Sequence, residues 1–216
     1  HKNRFEHELL QKQLSRLNRN YKLFFEKIAT VKGTRKMTDY LGNILQNDLS
    51  VMVFNFVDMI SHARTEMDMI KELASDESAY RSLTLSWFNH SSLLDLLKLL
   101  SENKVKVILT TDHGTIRVDN ALKVIGDRET NTNLRYKLGR NLNYNSKSIY
   151  DIKTPATIYL PSRNVSTSYI FATNTDFFAY PNNYNHYAQY YRNTYQHGGI
   201  SLEEMIIPIV TMTPKG

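Results

Sequence analysis

Two short β-rich runs, each followed at once by acidic and imidazole side chains, constrain this chain most. Val51-Met52-Val53-Phe54-Asn55-Phe56-Val57 leads into Asp58-Met59-Ile60-Ser61-His62, and Val105-Lys106-Val107-Ile108-Leu109 leads into Thr110-Thr111-Asp112-His113-Gly114. Between them lie a helical stretch around Ala63 to Ala74, a polar break at Ser75-Asp76-Glu77-Ser78, and a helix whose apolar face is Leu93, Leu94, Leu96, Leu97 and Leu100. The strand-helix-strand alternation predicts an α/β fold. In open α/β sheets functional groups gather in the crevice at the carboxyl ends of the strands, so the two polar pairs are expected to share a site.

The flanks are read from pattern in the same way. Met37 to Leu49 is a short helical pattern; Thr157-Ile158-Tyr159-Leu160 and Ser168-Tyr169-Ile170-Phe171-Ala172 are candidate strands around a Pro161-Ser162-Arg163-Asn164 turn. Met205 to Met212 is a final strand, placed at an edge or made irregular because Pro208 cannot donate to a ladder.

Charge divides unevenly. The net +6 of the 216 residues resolves into ten Lys or Arg against three Glu over residues 1–36, and seventeen against eighteen acidic residues beyond. In the basic segment Phe5, Leu9, Leu10, Leu14, Leu17, Tyr21, Phe24, Phe25 and Ile28 recur at helical spacing, which predicts one long basic amphipathic helix. Its basic face is either solvated, the favoured reading, or a contact surface for an acidic partner or nucleic acid. With 41% hydrophobic residues the chain can bury a core, no run is long enough to span a membrane, and no signal peptide is evident. The absence of cysteine excludes disulfides and thiolate metal sites and fits a cytoplasmic location.

The candidate ligands are Asp58, His62, Asp112, His113 and His197, the last within Gln196-His197-Gly198-Gly199. Carboxylate oxygen with neutral imidazole suits zinc or manganese. Taken singly, each pair has a plain alternative: Asp58 and His62 a helix cap and a surface imidazole, Asp112-His113-Gly114 a turn, His197-Gly198-Gly199 a loop. Their order along the chain is what argues for a site. Arg128, Arg135, Lys137 and Arg140 form a local basic group that either binds a phosphate or lies on a solvated loop. Tyr184, Tyr187, Tyr191 and Tyr195, with His186 among them, make a stripe suited to packing, a subunit interface or base stacking.

The series Asp58 to His62, Thr111 to Gly114 and the late His197 resembles the alkaline phosphatase superfamily. Trp87-Phe88-Asn89-His90-Ser91, the run Arg128 to Lys137, and His197-Gly198-Gly199-Ile200-Ser201-Leu202-Glu203-Glu204 are similar to segments of the PglZ domain, above all in PorX-type response regulators of type IX secretion. The resemblance implies a three-layer α/β/α sandwich over residues 51–216, with residues 1–50 a helical segment leading into it. It implies two zinc ions, one on Asp58, His62 and His197 and the other partly on Asp112 and His113. From their own chemistry, Glu203 and Glu204 are read as organising the His197 loop, as carboxylates orient metal-bound imidazoles, and His90 as a core histidine or one that supports a ligand from behind. The superfamily's further Asp ligand and its Thr or Ser nucleophile find no counterpart here. On this reading the chain, which opens on His1, is an inactive C-terminal piece of a phosphodiesterase or phosphatase whose nucleophile lies upstream. Implied partners are a nucleotide or oligonucleotide phosphoester, an upstream receiver domain, a histidine kinase and a second copy in a homodimer. The alternative is a non-catalytic regulatory interaction module with a structural zinc site. A phosphomutase is disfavoured, and direct DNA binding ranks lower still, for no groove-reading motif is present.

Overall fold

A computed structural model describes residues 5–28, 37–73, 76–162 and 164–214. Lys2, Arg4, Lys32, Arg35 and Lys36 of the basic segment, Ala74 and Ser75 at the polar break, and Arg163 of the turn lie outside the described residues. Contacts divide the chain into two compact units: His1–Ile60 with Glu72–Ile108 and Thr211–Gly216, and Ser61–Lys71 with Leu109–Val210.

The first unit corrects the expected N-terminal helix. Helix α1 (Glu6–Arg16) stops where Asn18 takes a left-handed φ of 53° and the Arg19 amide donates back to the Leu14 carbonyl. Asn tolerates that conformation, so the chain can turn there. Leu23–Ile28 then forms strand β1, not more helix. The helix packs back on the strand: the His7 ring stacks on Phe25 at 5.4 Å, and Lys27 Nζ sits 3.2 Å from Glu6. A Phe-rich run spaced at three and four satisfies either period, and pairing decided it.

Helix α2 (Met37–Leu45) connects β1 to β2 (Leu49–Phe54), and the two strands pair in parallel from Leu23 opposite Leu49 to Ile28 opposite Phe54. Helix α3 (Phe56–Glu66) begins two residues after β2, so Asp58 falls in its first turn and not at the strand end. Helix α4 (Asp68–Leu73) follows. Helix α5 (Glu77–Asn89) starts because the Asp76 carboxylate accepts the Ala79 amide at 2.8 Å; Ser91 caps α6 (Ser92–Glu102) in the same way. The leucine face of α6 does what its spacing predicts. Leu96 and Leu100 are buried with Ile28 and Ile44, and Phe24, Met52, Phe54 and Val107 pack around them. Strand β3 (Val107–Thr110) comes next.

The second unit is built on short strands, of which β8 (Ser168–Ala172) falls where its pattern predicts, while pattern alone missed β4 (Ile116–Arg117), β5 (Asn120–Lys123), β6 (Tyr136–Gly139), β7 (Ile149–Ile152), β9 (Asp176–Ala179) and β10 (Tyr195–Gln196). Strand β8 lies between antiparallel β6 and β7, while β5 pairs in parallel with β9. All four residues of β9 are buried. Its alternation sends Phe177 into a cluster with Ile116, Val118 and Leu134, and Phe178 into another with Val124, Ile170 and Ala172. Each fully buried ring contributes about 1.5–3 kcal/mol.

Helix α7 (Tyr184–Tyr191) carries most of the tyrosine stripe. Tyr184, Tyr187 and Tyr191 pack against the Phe177 cluster, and the Tyr184 hydroxyl donates to the Ala121 carbonyl at 2.7 Å. Packing is thus what this face does. The strand expected at Thr157–Leu160 is instead a 3-10 turn, Pro155–Ile158, closed by Tyr159 in a left-handed conformation; Pro155 fixes φ and withholds a donor at its start. Helix α8 (Leu202–Met205) precedes β11 (Ile209–Met212), which pairs with β3 and begins just after Pro208. No helix among the described residues is long and apolar enough to cross a membrane.

Candidate metal centre

Local pairing brings the two late histidines together. Strands β4 and β10 are antiparallel with Gln196 opposite Ile116, so the residue after β10 and those before β4 emerge at the same end. His113 and His197 meet there with rings stacked at 3.9 Å and 10°. The His62 ring stands edge-on to His197 at 6.2 Å.

Each loop is anchored from behind. The Thr111 hydroxyl donates to the His113 carbonyl at 3.0 Å, and the Gly114 amide donates to the Glu204 carbonyl at 2.9 Å. Gly114 is obligatory, for a Cβ there would lie 1.9 Å from the Glu203 carbonyl oxygen. His113 Nδ1 sits 3.1 Å from the Gly114 carbonyl. A carbonyl only accepts, so Nδ1 carries the proton and the Nε2 lone pair is left for a metal. Gly198 has a φ of 102°, and a Cβ on Gly199 would press on Arg135 and Glu204 at 2.7–2.9 Å. Gly199 lets the backbone lie flat on that pair, while Gly198 takes the left-handed turn beside Asn133 and Tyr136.

Asp58, His113 and His197 each offer one ligand atom, all within 4.8 Å of one another. Ligand atoms on a tetrahedral zinc with bonds of about 2.1 Å lie roughly 3.4 Å apart, so a small inward adjustment seats an ion, and two imidazoles with a carboxylate are a zinc donor set. All three side chains are partly exposed. This is the one such group among the described residues. Where the resemblance implies two ions, one on Asp58, His62 and His197 and the other partly on Asp112 and His113, the described residues offer a single three-donor group, in which the β4–β10 pairing brings His113 beside His197. One expectation is corrected by it. Metal binding does not wait on residues upstream: a complete three-donor group lies within the chain, so the inference that the chain is inert for lack of an upstream ligand is overturned.

The remaining site residues fall as follows. His62 is exposed beside His197, and Asp112 is exposed with Oδ1 3.8 Å from His113 Nε2; neither joins the group of three. His90 is exposed at the end of α5, its Nδ1 2.8 Å from the Ser86 carbonyl. Glu203 is exposed and touches the site through its backbone carbonyl. The four basic residues do not form one group. Arg140 is half-exposed and pairs with Asp127 and Glu129 at 3.3 and 3.4 Å, and Arg128 is exposed. Arg135 is wholly buried and grips Glu204 with two bonds of 2.9 and 2.7 Å, while its Nη1 donates to the Asp176 carbonyl.

Lys137 is also buried. Its ammonium donates to the Asn131 carbonyl at 3.1 Å and lies 4.5 Å over the Tyr180 ring, yet burial pushes its pKa down to about 8. Between that value and the ordinary 10.5 the unfolded chain holds a proton the folded chain has released, so stability rises with pH across the window. Lys137→Met is expected to stabilise the chain at pH 7 by about 1–3 kcal/mol and to flatten that rise, measured by urea unfolding at pH 7 and 9.5.

Sequence reasoning missed the Arg135–Glu204 pair. The one available signal was the Ser201-Leu202-Glu203-Glu204 spacing of a capping box, in which the Glu204 carboxylate accepts from the Ser201 amide at 3.1 Å and hydroxyl at 2.8 Å. A comparison with curated proteins gave no match. The family described as the BREX system PglZ alkaline phosphatase-like domain matches residues 4–212, nearly the whole chain. With that match and with Asp58, His113 and His197 gathered as metal donors, the chain belongs to the PglZ alkaline phosphatase-like domain family.

Proposed function

We propose that this domain is a metal-holding regulatory interaction module whose ion, zinc by its donor set, acts as a clamp. The observation that carries the reading is that Asp58, His113 and His197 can each offer one ligand atom to a single ion. An ion bound to the folded state alone adds to its stability by mass action. A regulatory setting, that of a PorX-type response regulator with an upstream receiver domain and a partner histidine kinase, is supported by the motif resemblance at Trp87–Ser91, Arg128–Lys137 and His197–Glu204. A cytoplasmic, cysteine-free protein suits it.

A second reading has one specific observation in its favour. Three partly exposed protein ligands leave a coordination position open, as in sites that act on a bound group. There the ion would supply Lewis-acid polarisation of a phosphoester oxygen. The residues present would hold that ion, and Arg128 and Arg140 are the exposed cations of the predicted phosphate-binding group.

One experiment separates the two. Zinc is titrated into the full chain while the melting temperature and the turnover of bis(p-nitrophenyl) phosphate are followed. The clamp reading expects a rise in melting temperature that saturates at one equivalent, with turnover no higher than in His113→Ala. Zinc-dependent turnover lost in His113→Ala would replace it with the hydrolytic reading.

A further inference from the structure

We propose that Glu204, gripped by Arg135, is the positioning residue that sets His113 and His197 in register for the ion; this rests on the metal reading above. A single residue reaches both ligand loops by different groups. Its backbone carbonyl accepts the Gly114 amide at 2.9 Å, one residue from His113. Its carboxylate accepts the Gly199 amide at 2.8 Å, two residues from His197, and the Ser201 amide and hydroxyl just beyond. That carboxylate is 2% exposed and is fixed from the other side by Nε and Nη2 along one edge of the Arg135 guanidinium.

The packing leaves little freedom. Gly199 and Gly114 have no room for a Cβ against Glu204, Arg135 and Glu203, so both loops lie in direct backbone contact with this clasp. Arg135 is itself held, since its own amide donates to the Asn133 side chain at 2.7 Å and its carbonyl accepts the Ala172 amide at 2.8 Å from β8. Glu204 therefore transmits the rigidity of the β6–β8 sheet to both imidazoles. Groups that orient metal ligands in this manner typically change metal affinity by about 10- to 100-fold when removed.

Cobalt(II), whose visible absorption reports ligand geometry, is the probe, titrated into the full chain. Glu204→Gln is expected to weaken cobalt binding by about 10- to 100-fold and to shift the absorption bands. Ser201→Ala, a milder change that removes one hydrogen bond to the same carboxylate, is expected to act in the same direction by several-fold, and it decides the matter should Glu204→Gln not fold. Phe178→Leu, a core change in the same unit, is expected to leave affinity and bands as they are. If the unaltered chain binds cobalt and the variants bind it with the same affinity and bands, the positioning role is overturned while the metal site stands. A loss in Phe178→Leu equal to that in Glu204→Gln also overturns it, since general loosening then explains both. If the unaltered chain takes up no cobalt, the metal reading falls first and this role with it.

Discussion

Arg135→Ala is expected to lower the unfolding free energy by about 3–5 kcal/mol, the usual result of removing one partner of a buried ion pair. The magnitude follows from what is left behind. Glu204 stays 2% exposed in its side chain with its cation gone, and the Asp176 carbonyl loses its donor. Removing both charges by Arg135→Met with Glu204→Leu is often neutral for buried pairs. Here it is expected to remain costly, because the Gly199 and Ser201 amides also depend on the carboxylate. The pair adds an acid sensitivity of definite sign. Burial raises the Glu204 carboxyl, but the bonds from Arg135, Ser201 and Gly199 together outweigh it and hold its pKa below the ordinary value. Its stabilising contribution is thus complete above the unfolded carboxyl pKa and is lost as the pH falls from there through the lowered folded value. Urea unfolding of the unaltered chain and of Arg135→Ala, run at neutral pH and through the acid range, reads both effects; a loss under about 1 kcal/mol would contradict the clasp.

The second large effect concerns which of the five candidate ligands bind. His113→Ala and His197→Ala are each expected to weaken zinc binding by at least about 100-fold, since each removes a direct ligand. His62→Ala and Asp112→Ala are expected to change it by less than about tenfold, because both side chains are exposed beside the group of three. Isothermal titration of the four variants reads the difference. Equal losses at His62 and His197 would restore the ligand division expected from the superfamily pattern.

Those contrasts mark what the sequence could disclose. The α6 core face was legible because leucines at helical spacing have one use, and candidate donors could be picked out because imidazoles and carboxylates follow β-rich runs. That His113 and His197 come together was not, for it depends on the β4–β10 register, a pairing of two-residue strands separated by nearly eighty residues. The N-terminal segment misled for a different reason: Tyr21, Phe24, Phe25 and Ile28 fit a helical period, yet Asn18 ends the helix and parallel pairing with β2 claims Leu23–Ile28. Arg135 and Lys137 read as a phosphate group because composition shows charge but not burial; both turned inward, one to a carboxylate and one to a carbonyl and a ring.

Zinc stoichiometry tests the central claim most directly. The full chain, stripped of metal and dialysed against buffered zinc, is measured for bound ion by atomic emission beside the Asp58→Ala, His113→Ala, His197→Ala triple variant. One zinc per chain in the first and none in the second is the predicted result; no zinc in the unaltered chain, or the same zinc content in both, would contradict it.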